Sequence, residues 1–214
     1  MRMANRATKA YIVYTEAERD LFFPTWHISK EKIHVIPYFI NTDRHTSAEQ
    51  QDVSRHIFAG GNSFRNFEPL LAAARELPDY EFVFCTGSLS GHQDIPPHIR
   101  TGYVSLQEYV HLIKSAAAVI IPVQTGLKRT AGIRDYVIDG ETALIVDGSA
   151  ESYREAISWV MDPANETAVA TMGEKAHHAV GQFTIEKHVR CLLSVMDMII
   201  AESLLEPEGT TQST

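Results

Sequence analysis

The fold is decided by the stretch His56 to Gly87, which reads HIFAGGNSFRNFEPLLAAARELPDYEFVFCTG. It opens with the apolar run Ile57-Phe58-Ala59 and turns on Gly60-Gly61. Apolar residues then recur at helical spacing from Phe67 to Ala74, and a second apolar run covers Phe82 to Cys85. This order predicts a strand, a glycine turn, a helix and a second strand, which together form a parallel βαβ unit.

The glycine turn of such a unit is a common place for an anion to bind. Glycine lets the chain leave the strand sharply, and the backbone N–H groups of the turn and of the helix N-terminus point outward. A phosphate-bearing ligand at Gly60 and Gly61 is therefore the first hypothesis. The alternative is that the two glycines form only a strand-to-helix turn, since doubly wound folds serve many functions.

The overall composition excludes several classes of protein. The chain has 214 residues, which suffice for one domain with a sizeable core or for two small ones, and one domain is preferred; 44% of the residues are hydrophobic and 21% charged, as is ordinary for a globular protein. A net charge of −8 supplies no basic surface for a nucleic-acid backbone, so a nucleic-acid partner is not expected. The longest apolar run, Ala116 to Val123, is too short for a transmembrane segment.

The cysteines and the N-terminus favour a cytoplasmic protein. Cys85 and Cys191 are far apart in the sequence, and we predict both to be reduced core thiols. The first apolar residues, Ala10 to Tyr14, are interrupted at once by Thr15-Glu16, so no signal peptide is predicted.

The rest of the chain alternates between strand and helix patterns. Besides the opening unit, strands are predicted at Ala10–Tyr14, Lys32–Pro37, Thr101–Val104, Ala117–Val123 and Ala143–Val146. Helices are predicted from a Thr15 cap to Phe22 and at Leu106–Ser115, Ile133–Val137 (one turn), Glu151–Met161, Asn165–Val180 and Thr184–Leu205. This alternation predicts an α/β fold with an open, mostly parallel, doubly wound sheet in a single domain over residues 1–205. The tail, residues 206–214, is predicted to be disordered.

Six segments, in this order, suggest a known family: VIPYFINTDRH, FAGGNSFRNFEPLLAAARELP, FVFCTG, YVSLQEYVHLIKSAAAVIIPV, IRDYVIDGETALIV and MGEKAHHAVGQFTIEKHVRCLL. They resemble the C-terminal half of the glycosyltransferases of family 4 type, which have the fold called GT-B. The resemblance covers nearly the whole chain, from about Ala10 to Leu193. It implies one Rossmann-like domain that binds a nucleotide diphosphate sugar, with a retaining hexosyltransferase reaction in the complete enzyme.

The resemblance also implies a set of donor-binding residues. Gly60 and Gly61 match the turn beneath the donor pyrophosphate, and Arg65 stands where the family has a Lys or Arg that meets those phosphates. A guanidinium can bind phosphate in bidentate fashion, so Arg65 suits that role. Lys128 falls in a glycine-containing loop that approaches the donor sugar. Three consecutive residues match the loop that holds the nucleotide base through backbone groups: Val104, Ser105 and Leu106.

Two parts of the family pattern are absent from this sequence. The interval Gln124 to Gly132 is too short to contain the expected helix and strand, which carry the two acids of the family's Glu-x7-Glu motif. The amino-terminal domain, which would supply the acceptor site, is also missing. We therefore assign no catalytic residue and do not expect activity from this chain alone. The implied partner is a separately encoded amino-terminal glycosyltransferase domain.

Three classes of function remain open from the sequence. The first is the donor half of a split glycosyltransferase, and the second is a non-catalytic nucleotide binder or a decayed remnant without activity. The third is another doubly wound module such as a receiver domain, which would need acidic residues at the strand ends. No metal or cofactor is predicted, because the adjacent His177 and His178 do not face each other on a helix. Asp135 and Asp139 are interpreted as turn and cap residues, and His56, His92 and His98 as surface or loop residues.

The last predicted helix carries one further implication. Val189, Leu192, Leu193, Met196 and Ile200 lie at helical spacing and form an apolar stripe. In the family this helix packs on the other domain, so its apolar face is expected to be exposed here. We predict self-association through the helix Thr184–Leu205.

Overall fold

A computed structural model describes residues 7–40, 55–124 and 137–205 of the chain. The strands are β1 (Tyr11–Val13), β2 (Ile33–Val35), β3 (Ile57–Gly60), β4 (Phe82–Cys85), β5 (Ile99–Thr101) and β6 (Ala118–Ile120). The helices are α1 (Glu16–Trp26), α2 (Glu68–Arg75), α3 (Leu106–Ser115), α4 (Ala150–Met161), α5 (Glu166–Val180) and α6 (Ile185–Leu205). Short 3-10 helices cover Lys30–Lys32 and Pro163–Asn165.

The chain divides into two compact units. The first, called the terminal unit, comprises Met1–Thr46, Arg129–Ile138 and Ala176–Thr214. The second, called the central unit, comprises Ser47–Lys128 and Asp139–Lys175. The single domain over residues 1–205 stays a prediction.

The central unit contains the α/β layers that the sequence predicts. Its four strands within the described residues are all parallel, in the order β5-β4-β3-β6. On one face Ile57 and Ala59 pack in a core with residues of α2 and α4, and on the other Phe58 packs with Val83 and with Leu112 of α3. Because helices cover both faces, β4 and the first three residues of β3 are buried, which explains their unbroken apolar sequences. The predicted α/β, Rossmann-like doubly wound fold is confirmed.

The terminal unit has its own small sheet, in which β1 and β2 pair in parallel. The predicted strands therefore fall into two sheets rather than one open sheet. The hydroxyl oxygen of Thr15 accepts a hydrogen bond from the Glu18 N–H at 3.0 Å, which begins α1 as predicted. The Glu18 carboxylate accepts from the N–H of Tyr14 at 2.8 Å, one residue before the cap.

Helix α6 completes the terminal unit. The N–H of Ile40 donates to the carbonyl of Phe183 at 2.8 Å, and Nδ1 of His188 lies 2.9 Å from the carbonyl oxygen of Pro37. The ring of Phe39 also contacts His188, with 5.0 Å between ring centroids. These contacts attach the start of α6 to the segment that follows β2.

Several sequence predictions differ from the structure. The run Ala143–Val146 is not a strand, because it makes only one isolated bridge, between Ala143 and Asp139. The strand predicted at Ala117–Val123 is shortened to β6, where Val119 is 50% exposed rather than covered on both faces. The predicted turn at Ile133–Val137 (except Val137 itself), Lys128, and the tail from residue 206 lie outside the described residues.

Two side chains also differ in burial from their predictions. His56, predicted as a surface or loop residue, directly precedes β3 and is only 3% exposed, and its Nε2 lies 3.0 Å from the carbonyl oxygen of Leu112. His98 lies in a turn, in agreement with its prediction as a surface or loop residue, and its Nε2 is 3.0 Å from the Ala74 carbonyl oxygen. Both cysteines are free thiols, but Cys191 is exposed and so is not a core residue.

Candidate functional site

The central sheet has a point at which the strand order reverses. The chain passes from β3 to β4 and β5 on one side, then crosses to β6 on the other side of β3. In open α/β sheets, ligands bind outside the carboxyl ends of the strands at such a point. The site therefore belongs at the carboxyl ends of β3 and β6, where Gly60 and Gly61 lie.

Gly60 is required by packing against a tyrosine. A Cβ atom on Gly60 would lie 2.5 Å from the hydroxyl oxygen of Tyr109 and 2.8 Å from its ring. The Tyr109 ring is held edge-on against Phe58, with centroids 5.1 Å apart. The glycine is thus explained by close approach of α3, without a ligand.

Gly61 has a different requirement. Its φ of +103° is a conformation that residues with a Cβ rarely adopt. Its N–H donates to the carbonyl of Cys85 at 3.1 Å, so this amide is used within the fold and does not face a ligand. In the described part of the chain, the backbone N–H groups of the next three residues form no hydrogen bond: Asn62, Ser63 and Phe64.

Arg65 lies beside Gly61. Its Nε is 3.7 Å from where a Gly61 Cβ would be, and this nitrogen is buried without a hydrogen-bond partner. A buried N–H of a charged group that lacks an acceptor is costly, and an anion bound at the turn would supply the acceptor. The structure therefore brings Gly60, Gly61 and Arg65 together at one corner.

The loop after β3 is fastened to the segment after β6. The N–H of Asn66 donates to the carbonyl of Pro122 at 2.8 Å, and that of Gln124 donates to the carbonyl of Phe64 at 3.0 Å. The bonds flank an antiparallel bridge between Arg65 and Val123. The position of the Arg65 backbone is thus fixed at the reversal point.

Asn62 has a role that the sequence did not indicate. Its side-chain oxygen accepts hydrogen bonds from the Thr86 hydroxyl and the Gly87 N–H, both at 2.9 Å. Asn62 stands at a position that is commonly basic in the resembled family, yet here it joins the loop after β3 to the loop after β4. No sequence pattern could have revealed this pairing, because the partners are separated by a helix and a strand.

The N-terminus of α2, where the sequence predicted that an anion could bind, lies beyond the glycine turn and carries an acidic residue. The helix begins at Glu68, several residues beyond Gly61, and its first turn carries that carboxylate. Glu68 is paired with His92, whose Nε2 lies 2.9 Å from the carboxylate. An acidic side chain already interacts with the positive end of the helix dipole, so the turn residues and Arg65 are the groups left for an anion.

The predicted base-binding residues lie between β5 and α3. Ser105 is the N-cap of α3, and its hydroxyl oxygen accepts from the Glu108 N–H at 3.1 Å. Val104 packs against the Phe58 side of the sheet, and within the described residues its backbone N–H and carbonyl form no hydrogen bond. Leu106 is 79% exposed. The free polar groups of this loop are therefore backbone groups.

Tyr103 was not singled out from the sequence. It is 77% exposed, and its hydroxyl lies 2.2 Å from the position of a Cβ on Gly87, so its ring extends from the loop before α3 towards the end of β4. An ion pair between Arg100 and Glu108 braces β5 against α3 on either side of this loop.

The central unit also has a cavity of about 580 Å³ that none of the predicted donor-binding residues lines. It is lined by Asp139, by residues 144–147 and by α4, including Trp159. Asp139 accepts from the Ile145 N–H at 2.8 Å, which is the turn role predicted for it; Asp135 lies outside the described residues. Hydrogen bonds from the hydroxyl of Ser152 and from Ser149 lower the pKa of Asp147 to about 2. These carboxylates serve local structure.

The described residues contain no group of three or more His, Cys, Asp and Glu side chains that could hold a metal ion. No helix in residues 7–40, 55–124 and 137–205 is long and apolar enough to cross a membrane.

Comparison with solved structures gives the fold a class. A glycosyltransferase from Rickettsia africae ESF-5 is similar to this chain with a TM-score of 0.69 at 15% sequence identity, over 91% of this chain and 64% of that one. The glycotransferase of kitacinnamycin matches with a TM-score of 0.40 at 13% identity, over 78% of this chain and 49% of that one. The sequence matches no protein-family model and no curated protein.

The first of these likenesses concerns the fold. The chain has an α/β, Rossmann-like fold that it shares with a glycosyltransferase, and it spans 64% of the length of that structure. The function is a separate question, which depends on the residues at the carboxyl ends of the strands.

Proposed function

We propose that this chain is the donor-binding part of a glycosyltransferase of family 4 type and binds a nucleotide diphosphate sugar at the carboxyl ends of β3 and β6. The pyrophosphate lies against the turn from Gly61 to Arg65, and the base lies against the backbone of Val104 to Leu106. Lys128, which falls outside the described residues, completes the phosphate contacts. The two free thiols suit the reducing cytoplasm as the compartment.

The observation that carries the proposal is the unpaired Nε of Arg65. This cation is buried at that atom, its backbone is fixed by the bridge to Val123, and it adjoins three amides without partners. A diphosphate offers acceptor oxygens for both the guanidinium and the amides, whereas a neutral ligand would leave the charge uncompensated.

Sugar transfer requires a second chain in this proposal. The sequence lacks the Glu-x7-Glu segment of the resembled family, and a donor site that no second domain encloses gives no preorganised electrostatic environment for the leaving diphosphate. The partner is a separate amino-terminal glycosyltransferase domain, and no catalytic residue is assigned to this chain.

Calorimetric titration with uridine and guanosine diphosphate sugars tests the binding. We expect saturable binding of one of them, and inorganic pyrophosphate should compete. Arg65→Leu should weaken binding by about tenfold to a hundredfold, which corresponds to the loss of a charged hydrogen-bonded pair of about 1.5–3 kcal/mol.

A matched variant separates the local effect from the change in net charge. Arg75→Leu removes the same charge from an exposed position in the last turn of α2 and should leave the affinity unchanged. Equal loss of affinity in the two variants, or no binding of any nucleotide diphosphate by the unaltered chain, would contradict the proposal.

The second candidate is a nucleotide binder without transferase activity. It is favoured by the interval Gln124 to Gly132, which is too short for the Glu-x7-Glu segment, and it shares the Arg65 site with the first candidate. A transfer assay with the purified chain, with and without a candidate amino-terminal domain, distinguishes them. Turnover only in the mixture supports the split enzyme; binding without turnover in either sample supports the second candidate.

A further inference from the structure

Helix α6 has two apolar faces, although the terminal unit needs only one. The inner face consists of His188, Leu192, Val195 and Ile199, which are all half-buried. A second set of apolar residues, called the outer stripe, is between 43% and 81% exposed: Ile185, Val189, Leu193, Met196, Ile200 and Leu204. The predicted stripe is thus divided, with Leu192 inside and its other four members outside.

The outer stripe follows one side of the helix from end to end. Its members are separated by four, four, three, four and four residues, which at 3.6 residues per turn keeps them within an arc of roughly 100°. A contiguous exposed apolar surface of this kind marks an interaction site.

The spacing of the outer stripe is the same in both directions along the helix. A second copy of α6 laid antiparallel across it places Ile185 opposite Leu204, Val189 opposite Ile200 and Leu193 opposite Met196. A two-fold symmetric interface has this property, because residue i contacts residue j while j contacts i. Every exposed apolar side chain of the stripe then meets another.

The charges beside the stripe select the same arrangement. Arg190 and Asp197 are seven residues apart, so both lie on one flank of the stripe. Both are exposed, and neither forms an ion pair within the described part of the chain. In the antiparallel pairing Arg190 of each copy lies within about two residues, or roughly 3 Å along the helix axis, of Asp197 of the other.

A parallel two-fold pairing would not form these ion pairs. It would place the charged flanks of the two copies on opposite sides of the interface, so Arg190 of one copy could not meet Asp197 of the other. We infer that the chain forms an antiparallel two-fold dimer through the outer stripe of α6, with two symmetric Arg190–Asp197 ion pairs between the copies. This inference does not depend on the proposed nucleotide-sugar site.

Charge reversal tests the arrangement by sedimentation velocity over a range of micromolar concentrations. Arg190→Asp or Asp197→Arg alone places like charges together and should raise the dimer dissociation constant by about tenfold, as expected for the loss of two exposed ion pairs. The double variant restores opposite charges and should return the constant to near its original value.

The control for charge is Lys187→Asp, which makes the same change on the exposed side of α6 away from the stripe and should have no effect on dimerisation. Circular dichroism of each variant checks that the helix is intact. Failure of the double variant to restore the dimer would overturn the antiparallel register. A monodisperse monomer of the unaltered chain would overturn the dimer itself. The monomer is also the result expected if a different protein covers the stripe.

Disulfide trapping gives an independent test of direction. In a Cys191→Ser background, chains with Leu193→Cys are mixed with chains with Met196→Cys under mild oxidation. The antiparallel pairing predicts that disulfides between unlike chains exceed those between like chains. A preponderance of disulfides between like chains would contradict it.

Discussion

Gly60 and Gly61 are adjacent glycines with separate structural causes. Tyr109 occupies the space that a side chain on Gly60 would need, whereas Gly61 has a backbone conformation suited to glycine. The sequence predicted a turn at this pair and grouped it with Arg65. It could not predict the role of Tyr109, because that contact depends on the packing of α3 against the sheet.

Gly60→Ala should therefore destabilise the protein even without ligand. A Cβ at 2.5 Å from the Tyr109 hydroxyl forces the ring or the strand to move, and we expect a loss of about 1–3 kcal/mol in the free energy of unfolding, measured with urea. Gly91→Ala is the control, since nothing lies within 4 Å of its added Cβ. Equal stabilities of the two variants would show that Tyr109 does not restrict this position.

The two thiols should differ sharply in reactivity. Burial raises the pKa of the Cys85 thiol, while Cys191 is exposed on α6. Only the thiolate reacts, so a disulfide reagent near neutral pH should modify Cys191 rapidly and Cys85 slowly. The rate at Cys85 should rise with pH. Cys191→Ser should abolish the fast phase; a fast phase that survives this change would place the reactive thiol at Cys85.

At the scale of elements, the loops at the carboxyl edge of the central sheet are joined to one another. Asn62 connects the loop after β3 to the loop after β4, and the Arg65–Val123 bridge connects it to the segment after β6. The proposed diphosphate corner is thereby preorganised by protein contacts rather than formed by the ligand.

Loss of the Asn62 contacts should lower stability. Asn62→Leu removes the acceptor for the Thr86 hydroxyl and the Gly87 N–H, which predicts a loss of about 1 kcal/mol in the free energy of unfolding. Asn62→Asp keeps a side-chain oxygen there and should lose less. Ser63→Ala, at the neighbouring exposed position, serves as the control; if it costs as much as Asn62→Leu, the two hydrogen bonds are not the cause.

The sequence predicted the longest helices well, because α4, α5 and α6 have clear apolar spacing and α3 and α4 begin at serine caps. It failed where an apolar run had no neighbouring strand. Ala143–Val146 has strand composition, but among the described residues it finds only the single bridge to Asp139. A strand depends on a pairing partner, and its own residues do not reveal whether one is present.

At the scale of the whole molecule, the ordered series of motifs carried more information than any single residue. It led to an α/β, Rossmann-like fold, which a glycosyltransferase structure shares at only 15% identity. The division into two units was not visible in the sequence, because the terminal unit combines segments from both ends of the chain.

This combination affects the order in which the chain can fold during synthesis. The hydrogen bond between His188 and Pro37 joins residues 151 positions apart, so β1, α1 and β2 leave the ribosome long before α6 is made. The central unit has all its described strands and α4 available earlier. A nascent chain stalled before Ile185 would therefore contain all the described strands of the central unit. Its amino-terminal segment, with β1, α1 and β2, would lack α6 as a packing partner.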